Sequence, residues 1–296
     1  MTNLATKALQ GLPSWNIGVI EGETADLLQA ESGRNVTWFP EQSDRYLADP
    51  FAIRIDGDIH VFFEEFPYST RKGRISFTKY PDWFESGKIE VAHEEPFHMS
   101  YPFMMRHDGE IYAIPESCAA DAVHIYRVDS PSEWVLEAKV LTGIGVIDPT
   151  VFKYAGKWWM FYTTDRNANA ELFIQHSDSL FEGWEEHSET PVKVDPKSAR
   201  SAGEPIISGG ELYRPSQYCD TEYGEKIVIN RVTQLTREEF VEEKYAEISP
   251  SDTGRYRDGC HTISSGGNNV FIDGKRRIRN HYWVKKRLEQ ILTYPL

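Results

Sequence analysis

Short runs of aromatic and β-branched residues, each followed by a turn signal and a second such run, recur along the chain. Two such runs joined by Gly, Asp or Asn form the sequence pattern of a β-hairpin. AIRIDGDIHVFFEEF turns at Asp56-Gly57, FMMRHDGEIYAIPES at Asp108-Gly109, TVFKYAGKWWMFYTT at Gly156 and PIISGGELYRPSQ at Gly209-Gly210, with a weaker fifth copy in TISSGGNNVFIDGKR. Helical periodicity shows only in brief stretches, Thr236–Tyr245 and the last dozen residues, so the pattern predicts an all-β protein.

Each hairpin is led in by a short polar or acidic segment: LADPF at Asp49, MSYPF at Tyr101, VIDPT at Asp148, AGEPI at Glu204 and GCHTI at His261. The successive spacings of 52, 47, 56 and 57 residues suit a repeat of four strands with their loops. Five such units make a five-bladed β-propeller, in which the innermost strand of every blade starts at the same end of the central channel. The five lead-in residues should therefore ring one funnel. One Asp-Pro alone reads more simply as a strand cap, because Pro is tolerated at a strand's first residue and Asp favours turns; four lead-ins with Pro in matching register favour the ring. No composition shift marks a linker, so residues 1–296 read as a single domain. Thr190–Ala202 and Ser249–Gly259 read as inter-blade loops over the funnel. The first 35 or so residues, with IGVIEG at Ile17–Gly22, should supply the outer strand that closes the ring, behind a disordered N-terminal tip.

Composition narrows the partners. The chain has 296 residues, 40% of them hydrophobic, enough for a large core, and a formal charge of −14. A pI near 5.1 repels phosphate backbones and anionic lipid, so nucleic acid and membrane surfaces are poor partners. Mean hydropathy is −0.51, with no apolar run near the roughly 20 residues of a membrane span and no basic-then-apolar leader. A soluble cytoplasmic protein is the expectation. Cys118, Cys219 and Cys260 are odd in number and lack CxxC spacing, which supports neither a disulfide framework nor a zinc knuckle. The sequence also lacks a Gly-rich phosphate loop, a serine nucleophile elbow and an HExxH helix.

The Asp-Pro and Glu-Pro lead-ins at blade-like spacing resemble the five-bladed superfamily of arabinanases, levansucrases and invertases, most nearly glycoside hydrolase family 43. WNIGVIEG, ADPF, FFEEF with KGRI, SYPF, PES, IDPT, RSAGEPI, YRPSQ with YG downstream, and CHTI are similar, more closely, to the N-terminal propeller region of glucosamine inositolphosphorylceramide transferases and its stand-alone bacterial relatives. The first resemblance implies three working carboxylates: Asp49 as base, Glu204 as acid and Asp148 tuning the acid. It also implies an axial His261, either beside a structural cation or hydrogen-bonded to a carboxylate or the substrate; no other cofactor is implied. The chemistry is coherent, since glycoside cleavage pairs a carboxylic acid kept protonated with an ionised carboxylate.

The second resemblance shifts the weight in the fourth blade from Glu204 to Arg200, Ala202-Gly203, Arg214 and Gln217. Glu116 in PES and one of Glu64 and Glu65 in FFEEF are then the alternative acids, since adjacent side chains on a strand face opposite ways. Arg71, Lys72 and Arg74 are candidate partners for whichever glutamate turns away. Substrate contact is expected from Glu65, Tyr101, Arg200, Arg214, Gln217 and His261. Arg200 and Arg214 either neutralise the acids or grip an anionic group of a substrate. Trp158-Trp159, Phe62-Phe63 and Tyr154 read as blade packing. The leading expectation is an enzyme that cleaves or transfers a glycosyl group from a furanoside or modified sugar. The alternatives are a glycosyltransferase or biosynthetic accessory using a sugar phosphate or nucleotide sugar, and a non-catalytic sugar-binding propeller.

Overall fold

The computed structural model describes residues 12–29, 35–250 and 254–278. The N-terminal tip and the last dozen residues, for which disorder and a helix were expected, lie outside them. The chain begins with β1 (Leu12–Glu21) and β2 (Thr37–Trp38). Blade I follows as β3 (Arg45–Ile55), β4 (Asp58–Pro67), β5 (Arg74–Tyr80) and β6 (Glu90–His93). Blade II is β7 (Ser100–His107), β8 (Glu110–Glu116), β9 (Val123–Ser130) and β10 (Glu133–Val140). Blade III is β11 (Val146–Tyr154), β12 (Lys157–Thr164), β13 (Glu171–Ser177) and β14 (Glu185–Glu186), with β15 (Lys193–Val194) also paired to β13. Blade IV is β16 (Ile206–Ser208), β17 (Glu211–Tyr218), β18 (Lys226–Leu235) and β19 (Phe240–Ile248). Finally β20 (Ile263–Ser265) and β21 (Asn269–Ile278) join the first two strands in the order β20-β21-β1-β2. Five antiparallel sheets thus form a five-bladed β-propeller, and blade V is shared by both ends of the described chain.

The four strong hairpins turn where the sequence places them. Asp56-Gly57, Asp108-Gly109, Ala155-Gly156 and Gly209-Gly210 all have positive φ at both central positions, which matches the right-handed twist of the strands they join. Thr236–Tyr245 is not helical. Thr236 and Glu239 close a turn, and Phe240–Ile248 pairs with β18, so the need to complete a four-stranded blade overrides the helix propensity of its Glu and Lys residues. Trp158, Trp159, Phe62 and Phe63 are buried in the blades. Edge-to-face contacts of Phe51 with Tyr101 (4.8 Å) and Phe103 (5.5 Å) weld blades I and II together.

Blades IV and V meet where Gly203 bridges Ile263. Its φ is +116°, and a Cβ there would lie 1.8 Å from the Ile263 carbonyl oxygen, so only glycine fits. Gly203→Ala should cost about 3 kcal/mol or more, combining backbone strain with separation of the two inner strands. A urea midpoint close to that of the wild type would contradict this seam.

Candidate functional site: an acidic funnel at the head of the blades

Strand register places the ring residues. In blade I, Ala48 pairs with Glu64 and Phe51 with Phe62, leaving a bulge at residues 49–50. Ser100–Glu116 with Phe103–Ile114 and Ile147–Thr163 with Thr150–Phe161 repeat this bulge in blades II and III. Asp49, Tyr101 and Asp148 each occupy it with left-handed backbone (φ +54°, +43° and +49°), a strained conformation that redirects a side chain and clusters at functional sites. In blade IV, Ser201 pairs with Ser216 and Ile206 with Tyr213, so the bulge is longer than in blades I to III; Ala202, next to the pair, takes the ring position and Glu204 falls within the enlarged bulge. His261 holds the position in blade V, two residues before Ile263.

Glu204 is therefore off the ring. Its carboxylate accepts from the Ser265 backbone N–H (2.6 Å) and from the Ser265 hydroxyl, latching blade IV to the inner strand of blade V. Burial raises its pKa and the Ser265 donors oppose this; the ring carboxylates take no part.

The same register pairs Ala48 with Glu64 and Ser100 with Glu116, so these two glutamates occupy equivalent places beside the ring acids. Asp148 is clamped by Arg200, through Nε at 2.6 Å and Nη2 at 3.4 Å, and accepts from Gln217 Nε2 at 2.9 Å. Glu116 is held well above the usual carboxylate range by burial, by the Asp148 charge and by a hydrogen bond shared with Asp148, with Arg200 opposing the shift. Glu64 is raised by burial and by the Asp49 charge while accepting from the Tyr46 hydroxyl at 3.1 Å. His98 accepts the Gly73 N–H on Nδ1 (2.9 Å), which leaves Nε2–H directed at Glu64, 3.5 Å away.

Asp49 joins the two ends of the ring. It accepts from Thr262 Oγ1 at 2.6 Å and from Tyr101 N–H at 3.3 Å, with His261 Nδ1 at 3.5 Å. Burial lifts its pKa to about 6; His261 opposes this, and the Asp273 and Asp148 charges add to it. Asp273 accepts from the backbone N–H groups of His261 (2.8 Å), Thr262 (3.1 Å) and Asp49 (3.2 Å) and lies 2.5 Å from His261 Nδ1. Burial lowers the His261 pKa, but the Asp273 and Asp49 carboxylates outweigh it and raise it overall. Asp49, His261 and Asp273 bring potential ligand atoms within 4.8 Å of one another. The same atoms also accept the N–H and O–H donors named above and pair with each other.

Three residues expected to touch substrate are placed elsewhere. Tyr101 is fully buried, with its hydroxyl 2.8 Å from Thr150 Oγ1 and accepting the Gly203 N–H at 2.8 Å, so it crosses from blade II to blades III and IV as the floor of the funnel. Glu65 faces away, bonded to Arg74 (3.0 and 3.2 Å), Ser76 (2.5 Å) and Arg45; the odd-even alternation of β4 gives the funnel Glu64 instead. Arg74 is thus the partner among the three nearby cations, while Lys72 pairs with Glu94. Arg214 is 1% exposed inside the wall, where it donates to Glu242 (2.8 and 2.6 Å) and to the Ala199 and Ser198 carbonyls.

The sequence reading missed several members of the site. Tyr223 stands under the Arg200 guanidinium (4.9 Å) and edge-on to His261 (5.2 Å), while Trp15 of β1 stacks on His261 at 4.0 Å. The Tyr-Gly after YRPSQ and the Trp of WNIGVIEG were visible only as motif letters.

The fold and the floored acidic funnel define a five-bladed propeller of the kind built by glycoside hydrolases. Among solved structures it is similar to an α-L-arabinofuranosidase from Podospora anserina (10% identity, TM-score 0.58, 82% of this chain and 95% of that one). It is also similar to a GH62 α-L-arabinofuranosidase catalytic domain from Coprinopsis cinerea (12%, 0.58, 77% and 84%) and a family 117 glycoside hydrolase from Zobellia galactanivorans (11%, 0.53, 90% and 91%). At these identities the likeness is one of fold. The profile of the family described as glucosamine inositolphosphorylceramide transferase 1, N-terminal, matches residues 32–259, and the chain belongs to that family. It is 36% identical over 249 residues to glucosamine inositolphosphorylceramide transferase 1 of Oryza sativa subsp. indica, covering 78% of this chain and 33% of the relative. With the Arabidopsis thaliana transferase of the same name it shares 31% over 261 residues, covering 77% and 33%. The chain thus spans about a third of the length of the curated relatives it matches. Among the described residues no helix is long and apolar enough to cross a membrane.

Proposed function

We propose that the funnel binds a neutral glycoside and that the chain cleaves or transfers its glycosyl group, with Glu116 as proton donor and Asp49 as the ionised carboxylate. One observation carries this reading: two carboxyl groups in one funnel are driven apart in acidity, Glu116 kept protonated against an Arg-clamped Asp148 while Asp49 titrates near 6. That division of labour is what acid-assisted glycoside chemistry requires. Both candidate arginines are committed to acids, Arg200 to Asp148 and Arg214 to Glu242, so neither is free to grip a phosphate. A furanoside is the first substrate class to test, because two of the propellers sharing the fold are arabinofuranosidases.

Family membership favours a second reading, in which the propeller serves a transferase by holding a sugar nucleotide. Calorimetry separates the two: binding of neutral furanosides without binding of sugar nucleotides supports the glycoside reading, and the reverse supports the accessory.

The acid–base assignment fixes a pH profile. Turnover should rise as pH climbs through about 6, where Asp49 loses its proton, and fall again once Glu116 ionises. Stability runs the other way. The folded state holds a proton on Asp49 that the unfolded state releases near 3.8, so this contribution is complete below 3.8 and lost as pH rises through about 6. Asp49→Asn removes that loss and suits a left-handed residue, so it should abolish turnover yet raise Tm at pH 8 by ~2–4 °C. A lower Tm at pH 8 would contradict it.

A further inference from the structure

Arg200 reaches Asp148 from a segment with no regular structure of its own, Asp195–Arg200, which runs between β15 and β16. Hydrogen bonds hold its backbone. The N–H groups of Ser198 (3.2 Å) and Ala199 (3.0 Å) donate to the Asp195 carbonyl, and β17 supplies four further donors. Arg214 donates through Nη2 to the Ser198 carbonyl and through Nη1 to the Ala199 carbonyl at 3.2 Å. Gln217 donates its backbone N–H to the Arg200 carbonyl at 2.8 Å and its side-chain Nε2 to the Ser201 carbonyl at 2.8 Å. Strand β17 is thus a bracket on four consecutive carbonyls, those of residues 198–201.

Arg214 does more in this bracket than balance Glu242. Lys193 also bonds that carboxylate, at 2.7 Å, so neutralisation alone does not call for a guanidinium inside the wall. Glu242 takes one edge of the fork at 2.8 and 2.6 Å, which turns the other toward the two carbonyls. The Ala199 carbonyl and the Arg200 N–H share one planar peptide group, so Arg214 fixes the plane from which the Arg200 side chain starts. From there Arg200 meets Asp148 through Nε at 2.6 Å, Asn169 Oδ1 at 3.3 Å and the Tyr223 ring at 4.9 Å.

Resting on the proposed role of Glu116 as proton donor, we propose that Arg214 is a positioning residue: it holds the Ser198–Arg200 backbone in the setting that puts the Arg200 guanidinium on Asp148, and so keeps that carboxylate against Glu116. Glu116 ionises beside the Asp148 charge, with Asp49, Glu64 and Cys118 also facing it, and Arg200 is the cation that eases the step. Without the fork, Arg200 is free to leave Asp148. Glu116 then gives up its proton at higher pH, since its ionised form has lost a counter-charge.

The test uses two variants of the full chain that keep the buried charge balanced. Arg214→Lys leaves a cation for Glu242 but no planar fork for two carbonyls, and Glu242→Leu/Arg214→Met removes the pair together. Thermal melts first establish that each is folded. Arg200 is read by NMR of its Nε–H and Glu116 by carbon NMR of the glutamate carboxyls through a pH titration, assigned by the signals lost in Arg200→Lys and Glu116→Gln. In both Arg214 variants the Arg200 Nε–H should exchange with water about tenfold faster or more, and the Glu116 midpoint should rise by about 0.5 pH unit or more. On any glycoside that the wild type turns over, kcat should fall about tenfold with KM within twofold. Lys193→Met, which takes the other cation from Glu242 and leaves the fork in place, should change none of these. An unchanged Arg200 signal and Glu116 midpoint in either folded Arg214 variant overturns the positioning role. The expected NMR changes in a protein that turns over no glycoside would support the bracket and remove the proposed chemistry at Glu116 instead.

Discussion

Glu116→Gln should leave the propeller folded and lower turnover by about 10²–10⁴-fold, the range that a positioned general acid contributes. Glutamine keeps the shape of the side chain, and its amide can still donate to Asp148, so the clamp of Arg200 and Gln217 on that carboxylate persists. What is lost is the transferable proton. The pH profile distinguishes this from a structural defect: the limb near 6 belongs to Asp49 and should remain in the residual activity, while the alkaline limb disappears. Substrates with a strongly acidic leaving group, such as 4-nitrophenyl glycosides, should recover much of the rate because they need little protonation. Unchanged turnover on unactivated glycosides would remove Glu116 from the chemistry.

Glu242→Ala should destabilise the protein by about 3–5 kcal/mol, since it strips the counter-charge from a guanidinium that is 1% exposed. Glu242 itself is held below the usual carboxylate range; burial opposes that shift, but Arg214 and Lys193 outweigh it. The double variant Glu242→Leu/Arg214→Met should regain most of the loss, because replacing a buried pair by apolar residues of similar volume is often neutral or favourable. Neither variant should alter sugar affinity while folded. A loss below about 1 kcal/mol, or a change in sugar-nucleotide binding, would mean that Arg214 turns into the funnel after all.

The contrast between Arg200 and Arg214 shows where the sequence was legible. The repeat, the blade count and the four strong hairpins could be read because turn chemistry and lead-in spacing are local signals that each blade restates. Asp49, Asp148 and His261 converge for that reason. Glu204 shares the proline but not the register: it lies two residues past Ala202 in a bulge longer than those of the other blades, and only strand pairing reveals that. The choice between Glu64 and Glu65 is a matter of parity, which a bulge on the neighbouring strand resolves and composition cannot. Asp273, Tyr46 and His98 carry no spacing signal at all. They reach the acids from a second strand, from the start of β3 and from the loop before β7, places that only the closed ring makes adjacent.

That closed ring ties the poise of Asp49 to the last-made strands of the propeller. Asp49 is translated early, but the groups that set its acidity, Thr262, His261 and Asp273, leave the ribosome more than 200 residues later, and Trp15, which braces His261, waits in β1 for β21 to pair with it. A nascent chain with four complete blades therefore carries every funnel glutamate and Arg200 yet lacks the partners that poise Asp49. Under the proposed glycoside chemistry, products interrupted before β21 should be inert toward glycosides, and turnover should begin only once β21 has paired with β1.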